Sequence, residues 1–143
     1  AGQFIEEVMT PALRLPRGMP RLQAISTAWL GWITAHPDGC VFLGAAMEYD
    51  GRPGPMRDHV ATMLESWRAA LERAVAFAVE QGHLRPGTDP ALVAFQFQAL
   101  MQGYHHARMH HPQSARGLTE RAVADLFARY AADAHASPAS TPA

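Results

Sequence analysis

At 143 residues, with 48% hydrophobic and 17% charged side chains, the chain has the size of one ordinary domain and enough apolar mass to bury a core. The formal net charge is −1, and the twelve basic positions are all arginine, scattered beside acids. No concentrated basic face of the kind that displaces counterions from nucleic acid is therefore expected.

The single cysteine excludes an internal disulfide framework and fits a reducing, cytoplasmic interior. No apolar run nears the roughly 20 residues that span a bilayer, and no basic-then-apolar leader opens the chain. The sequence begins at Ala1 inside what reads as a helix already under way, so a piece of a longer protein is expected.

Residues 3–15 carry Phe4, Ile5, Val8, Met9, Ala12 and Leu13 at near-helical spacing. Pro11 and Pro16 predict a kink or break near Thr10-Pro11. Residues 18–36 predict a cleaner helix, with Pro20 in its first turn and Leu22, Ile25, Trp29, Trp32 and Ile33 on one face. Pro37-Asp38-Gly39 signals a turn. The apolar run Cys40–Tyr49 could be a buried strand or a short helix. Nothing else in the chain alternates with period two to pair with it, so helix is favoured.

Asp50–Gly54 ends that run, and a long amphipathic helix follows from Pro55 to Gln81. Met56, Val60, Met63, Leu64, Trp67, Leu71, Val75 and Val79 recur at helical spacing, with Phe77 beside them. At 1.5 Å per residue the rod would run roughly 40 Å, long enough to be the spine of a helical domain.

Gly82 predicts a C-terminal cap. Asp89-Pro90 predicts an N-cap with proline at the first helical position. Residues 90–111 then read as a helix that is apolar on two sides, with Pro112 ending it, and the last helix spans about 115–134 with Leu118, Ala122, Val123, Leu126, Phe127 and Tyr130 inward. Residues 137–143 read as a disordered tail by composition. The fold class is all-α: one domain over residues 1–136, of about six helices. The last two, joined by a short loop, suit a dimeric four-helix bundle with a second copy.

The ordered pieces, 11–32 (PALRLPRGMPRLQAISTAWLGW), 39–60 (GCVFLGAAMEYDGRPGPMRDHV), the long helix ending in 80–90 (EQGHLRPGTDP), and the Phe/Met/Tyr-rich helix after it, resemble the C-terminal regulatory domain of TetR-type transcriptional repressors. The likeness covers nearly the whole chain apart from the tail. It implies an all-helical body that binds a small apolar or aromatic molecule, dimerises through residues 90–134, and leaves DNA contact to an N-terminal helix-turn-helix head that this chain lacks. It implies neither a membrane partner nor a cofactor.

Such a body needs a largely apolar cavity with a few orienting polar groups. The candidate ligand-binding residues are Trp29, Trp32, Ile33, Phe42, Met63, Trp67, Phe77, Phe95, Met101 and Tyr104, because flat rings and pliable thioethers can bound a cavity. Ser26, Glu48, His59, Gln98 and Tyr104 are the candidate polar anchors. Core packing demands the same residue types, so plain core is the competing reading for each aromatic, and a dimerisation module with a filled core is the competing reading for the whole.

His105, His106, His110 and His111 gather at a helix end, with His106 and His110 at i, i+4, a spacing able to place two imidazoles on one metal. A His-rich metal-binding bundle, with or without enzymatic activity, is thus the alternative function. No Cys, Asp or Glu accompanies them nearby, and a helix C-terminus favours imidazolium anyway. No metal site is therefore assigned. Catalytic residues are not expected either: Cys40 lies in an apolar run, and no nucleophile elbow, His-Glu zinc motif or Gly-rich phosphate loop occurs.

Overall fold

The computed structural model describes residues 2–36 and 41–133, leaving out the side chains of Val41 and Phe42. Among the described residues six helices follow one another. The first, α1, joins Gly2–Phe4, a π-helical stretch Ile5–Met9 and Thr10–Leu13. After it come α2 (Met19–Ala35), α3 (Val41–Tyr49), α4 (Pro55–Glu80), α5 (Pro90–His110) and α6 (Pro112–Tyr130). Among the described residues the sole extended pairing is an isolated bridge between Leu84 and Ala131, so the architecture is all-α. Pro37–Cys40 and the tail beyond Asp133, where a turn and a disordered end are expected, lie outside the described residues.

The kink or break expected near Thr10-Pro11 takes the form of a π-helical stretch within a continuous helix. Pro11 has no N–H, and its ring crowds the preceding turn. The backbone absorbs this by widening into the π stretch, where the Thr10 N–H donates to Ile5 O. Arg21 holds the C-terminal end of α1 by donating to the carbonyls of Leu13 (3.1 Å) and Leu15 (2.8 Å). Gly18 then turns the chain at φ 101°, ψ −147°, a conformation open only to glycine. Behind it the Met19 N–H, one of the unpaired donors that open α2, donates to His83 Nδ1 at 2.9 Å.

The spine α4 ends as expected, in a Schellman turn. Gly82 takes φ 71°, its N–H donates to Val79 O, and the His83 N–H donates to Ala78 O, each at 2.9 Å. Arg85 N–H donates to Tyr130 O (2.8 Å) and Ala132 N–H to His83 O (3.1 Å), which ties this turn to the end of α6. Arg17 lays its guanidinium 4.4 Å from the centre of the Phe77 ring, a cation–π contact across the same corner.

Asp89 caps α5 as its sequence position predicts, accepting from the N–H groups of Ala91 (2.9 Å) and Leu92 (3.4 Å). The helix over 90–111 ends before Pro112 as expected, but the last helix begins at Pro112 itself and not near residue 115, with His111 alone in place of the expected short loop. Proline costs nothing at a first helical position, where its missing N–H would have no partner.

The core lies where α2, α4, α5 and α6 meet around Leu22, Ile25, Ile33, Leu71, Val75, Val93, Phe97 and Met101, all fully buried. Val8 and Ala12 join it from α1. The Phe97 ring bridges two sides, with Trp29 at 5.8 Å and Phe127 at 5.5 Å between ring centres. Leu118 does not point inward as expected: it is 53% exposed. It follows Gly117 on the side of α6 away from the buried row Ala115, Thr119, Val123 and Phe127.

Candidate functional site

A cavity of about 530 Å³ opens beside this core, with walls from five of the six helices. Residues Phe4, Ile5, Met9 and Leu13 of α1 form one side, and Trp29 of α2 and Leu43 of α3 close the back. From α4 come His59, Met63, Leu64, Ser66, Trp67 and Ala70, and from α5 come Gln98 and Gln102. Ile5, Leu13, His59, Ser66 and Gln102 are exposed although they line it, so the space is a cleft with a wet rim and a dry interior. A void of this size stands against a wholly filled core.

Three rings wall the dry end, Phe4, Trp29 and Trp67, with Trp32 packed behind Phe4. Trp67 meets Trp29 at 4.9 Å and 89°, and Phe4 stands edge-on to Trp67 (4.9 Å), Trp32 (5.6 Å) and Trp29 (6.1 Å). Edge-to-face pairs set each ring's tilt by matching positive edges to negative faces. Phe4 therefore plugs α1 into the aromatic wall, and any rearrangement of that wall is felt by α1.

Of the ten sequence-predicted residues, the structure brings Trp29, Met63 and Trp67 to the cavity. Trp32 sits one layer out, stacked on the His36 ring at 3.9 Å and touching the cavity only through Phe4. Ile33 and Met101 are sealed in the core. Tyr104 is buried among the same helices, and its hydroxyl lies 2.9 Å from Thr34 Oγ1. Thr34 spends its own proton on Leu30 O, so Tyr104 is the donor of that pair. Phe77 packs under Arg17 at the far end of α4. Phe95 is 68% exposed, on the side of α5 turned away from the core. Phe42 belongs to α3, but its side chain lies outside the described residues.

Among the candidate anchors, His59 and Gln98 line the cavity; Ser26 and Tyr104 are buried elsewhere, and Glu48 is exposed beside Arg52. The residues that sequence reasoning missed are chiefly Phe4, Ile5, Met9 and Leu13. Their signal was present. The apolar positions of α1 occupy two sides of the helix, with Val8 and Ala12 for the core and the other four for a second neighbour.

The cavity's electrostatics are plain. None of its described lining residues is Asp, Glu, Lys or Arg. The nearby charges of α4 satisfy one another, Arg68 donating to both Glu65 and Glu72. That hydrogen bond holds the exposed Glu65 carboxyl below its usual range. Elsewhere, burial, then Arg108 and His106, push the His105 imidazole down. The His106 and His110 rings lie 5.1 Å apart on the outer side of α5. Among the described residues no three His, Cys, Asp or Glu side chains are grouped to hold a metal.

An all-helical body with an apolar cleft, and no described helix long and apolar enough to cross a membrane, is the class these features define. A family model described as "Tetracyclin repressor-like, C-terminal domain" matches residues 18–131, and the chain belongs to that family. Its role is regulatory, in the control of transcription. The fold is similar to the crystal structure of a TetR-family transcriptional regulator from Cytophaga hutchinsonii, with a TM-score of 0.71 at 18% identity over 92% of this chain and 68% of that one. No curated protein matches the sequence.

Proposed function

We propose that this chain is the effector-binding and dimerisation body of a transcriptional repressor, and that it senses an uncomplicated apolar or aromatic small molecule in the cleft between α1, α2, α3, α4 and α5. The observation that carries the reading is the cleft itself: about 530 Å³, walled at its dry end by Phe4, Trp29, Met63 and Trp67, within the size and character of small-molecule sites. In this reading DNA contact belongs to a segment outside these 143 residues.

Release of DNA would be a population shift, in which the ligand favours the arrangement of α1 that spaces two heads wrongly for their half-sites. Four wall residues come from α1, so occupancy bears directly on that helix. A decisive shift requires a differential affinity on the order of several kcal/mol between the two arrangements.

Two copies would join through the outer faces of α5 and α6. Leu92, Phe95 and Leu118 are exposed there, with Ala99, Gly103, Gly117 and Ala124 between them to allow close approach. A shallow groove lined by Ser114, Gly117, Leu118, Arg121 and Ala124 runs along the α6 half of that surface. Two such faces make the four-helix bundle that buries them.

A thermal-shift screen of lipophilic compounds against the wild-type chain and Trp67→Ala tests the ligand half. Compounds that raise the melting temperature of the wild type should lose that effect in the variant. Hits that stabilise both equally would place the ligand elsewhere.

A further inference from the structure

Resting on the ligand-sensing reading above, we infer that the cleft selects electrically neutral molecules of aromatic size that carry a hydrogen-bond acceptor, such as a ketone, ester or amide carbonyl. Organic anions and cations of the same shape are rejected.

An ionised ligand entering the dry end would shed its hydration with no opposite charge among the described lining residues to replace it, and an unpaired buried charge is among the most costly arrangements in a protein. The polar groups present are uncharged amides and a hydroxyl, together with His59 on the exposed rim. Ser66 is already committed as a donor, giving its proton to Thr62 O at 2.9 Å.

Several donors remain uncommitted, among them Gln98 and Trp67. Gln98 is half-buried and lines the cleft, and its side-chain amide makes no hydrogen bond among the described residues. Trp67 also lines the cleft, and its buried indole N–H has no acceptor. Buried polar atoms in native proteins nearly always have partners, and an orphaned donor carries a standing cost. A ligand carbonyl would accept from the Gln98 amide of α5, and one also within reach of the Trp67 N–H would relieve that cost, while its rings take the edge contacts that Trp29, Trp67 and Phe4 already offer one another.

Four naphthalene probes test this with the 143-residue chain at pH 7.5, by quenching of tryptophan fluorescence. 2-Acetylnaphthalene carries the acceptor and 2-ethylnaphthalene has its shape without it; 2-naphthoate and 2-naphthylmethylammonium carry the two charges. The ketone is expected to bind about two- to tenfold more tightly than the ethyl compound, as one neutral hydrogen bond allows, and both ions at least tenfold more weakly than the ketone. Gln98→Leu should shrink the ketone's advantage over 2-ethylnaphthalene to less than about twofold.

Either ion binding within tenfold of the ketone would overturn the selectivity, as would an undiminished ketone advantage in Gln98→Leu; the sensing reading would survive both. If none of the four binds, that reading falls together with the selectivity.

Discussion

Replacing Gly18 with alanine acts on the corner that locks the α1–α2 turn to the end of the spine. At φ 101°, ψ −147° a side chain is strained by about 1–3 kcal/mol. The added Cβ would also overlap His83 Nδ1 and lie 2.8 Å from its Cε1, so the imidazole must move and its bond from the Met19 N–H is lost. That bond is exposed, and water can replace it, which keeps its loss near the low end of about 0.5–1.5 kcal/mol.

Together the two effects give about 1.5–3.5 kcal/mol, or a melting temperature lowered by about 5–10 °C for a domain of this size. Urea denaturation of Gly18→Ala, His83→Ala and the double variant separates the contributions. His83→Ala alone should cost under about 1 kcal/mol. With the imidazole gone, Gly18→Ala should cost only the backbone strain, so the double variant is more stable than additivity predicts. A Gly18→Ala loss below about 0.5 kcal/mol, or a loss unchanged in the His83→Ala background, would refute the reasoning.

Asp89→Ala removes the cap of α5 and should cost about 1 kcal/mol in urea denaturation; an unchanged midpoint would show that water replaces it fully. Because burial keeps the His105 imidazole below its ordinary value near 6.5, the unfolded chain takes up that proton first as pH falls. Stability held above about pH 6.5 should therefore be lost on acidification, and His105→Gln should flatten the melting-temperature profile between pH 7.5 and 5.5; superimposable profiles would contradict this. Phe95→Arg, on the proposed docking face, should turn a sedimenting dimer into a monomer at micromolar concentration without lowering helix content, and a wild type that is monomeric there would remove the dimer.

How much of this was legible beforehand divides along a physical line. The spine, its glycine stop and the Asp89 cap were readable because each is decided by residues close together in sequence: a 3.6-residue apolar stripe, a position needing positive φ, a carboxylate two residues before free N–H groups. The stop before Pro112 was read correctly, but the start of the last helix was placed three residues late, because proline both ends one helix and begins another.

The cleft was less legible. Periodicity shows which side of a helix turns inward, but not whether that side meets another side chain or a void. Trp29 and Ile33 lie on the same face of α2, yet one walls the cleft and the other is sealed in the core. Phe77 and Phe95 carry the right chemistry at positions that tertiary packing directed to a cation–π corner and to an outer face. Phe4 and Met9 were undervalued because the prolines nearby suggested a broken helix, whereas a π turn keeps α1 whole and holds both against the aromatic wall.

Methionine methyl groups report on the central claim with least interference, since Met9 and Met63 line the cleft, Met101 is sealed in the core, and Met47 and Met109 are exposed and are not among its lining residues. With methyl-labelled methionine in the 143-residue chain, titration of a stabilising lipophilic compound should shift the Met9 and Met63 resonances and leave those of Met47 and Met109 in place. Shifts confined to Met47 or Met109, with Met9 and Met63 unmoved, would contradict a ligand site between α1 and the spine.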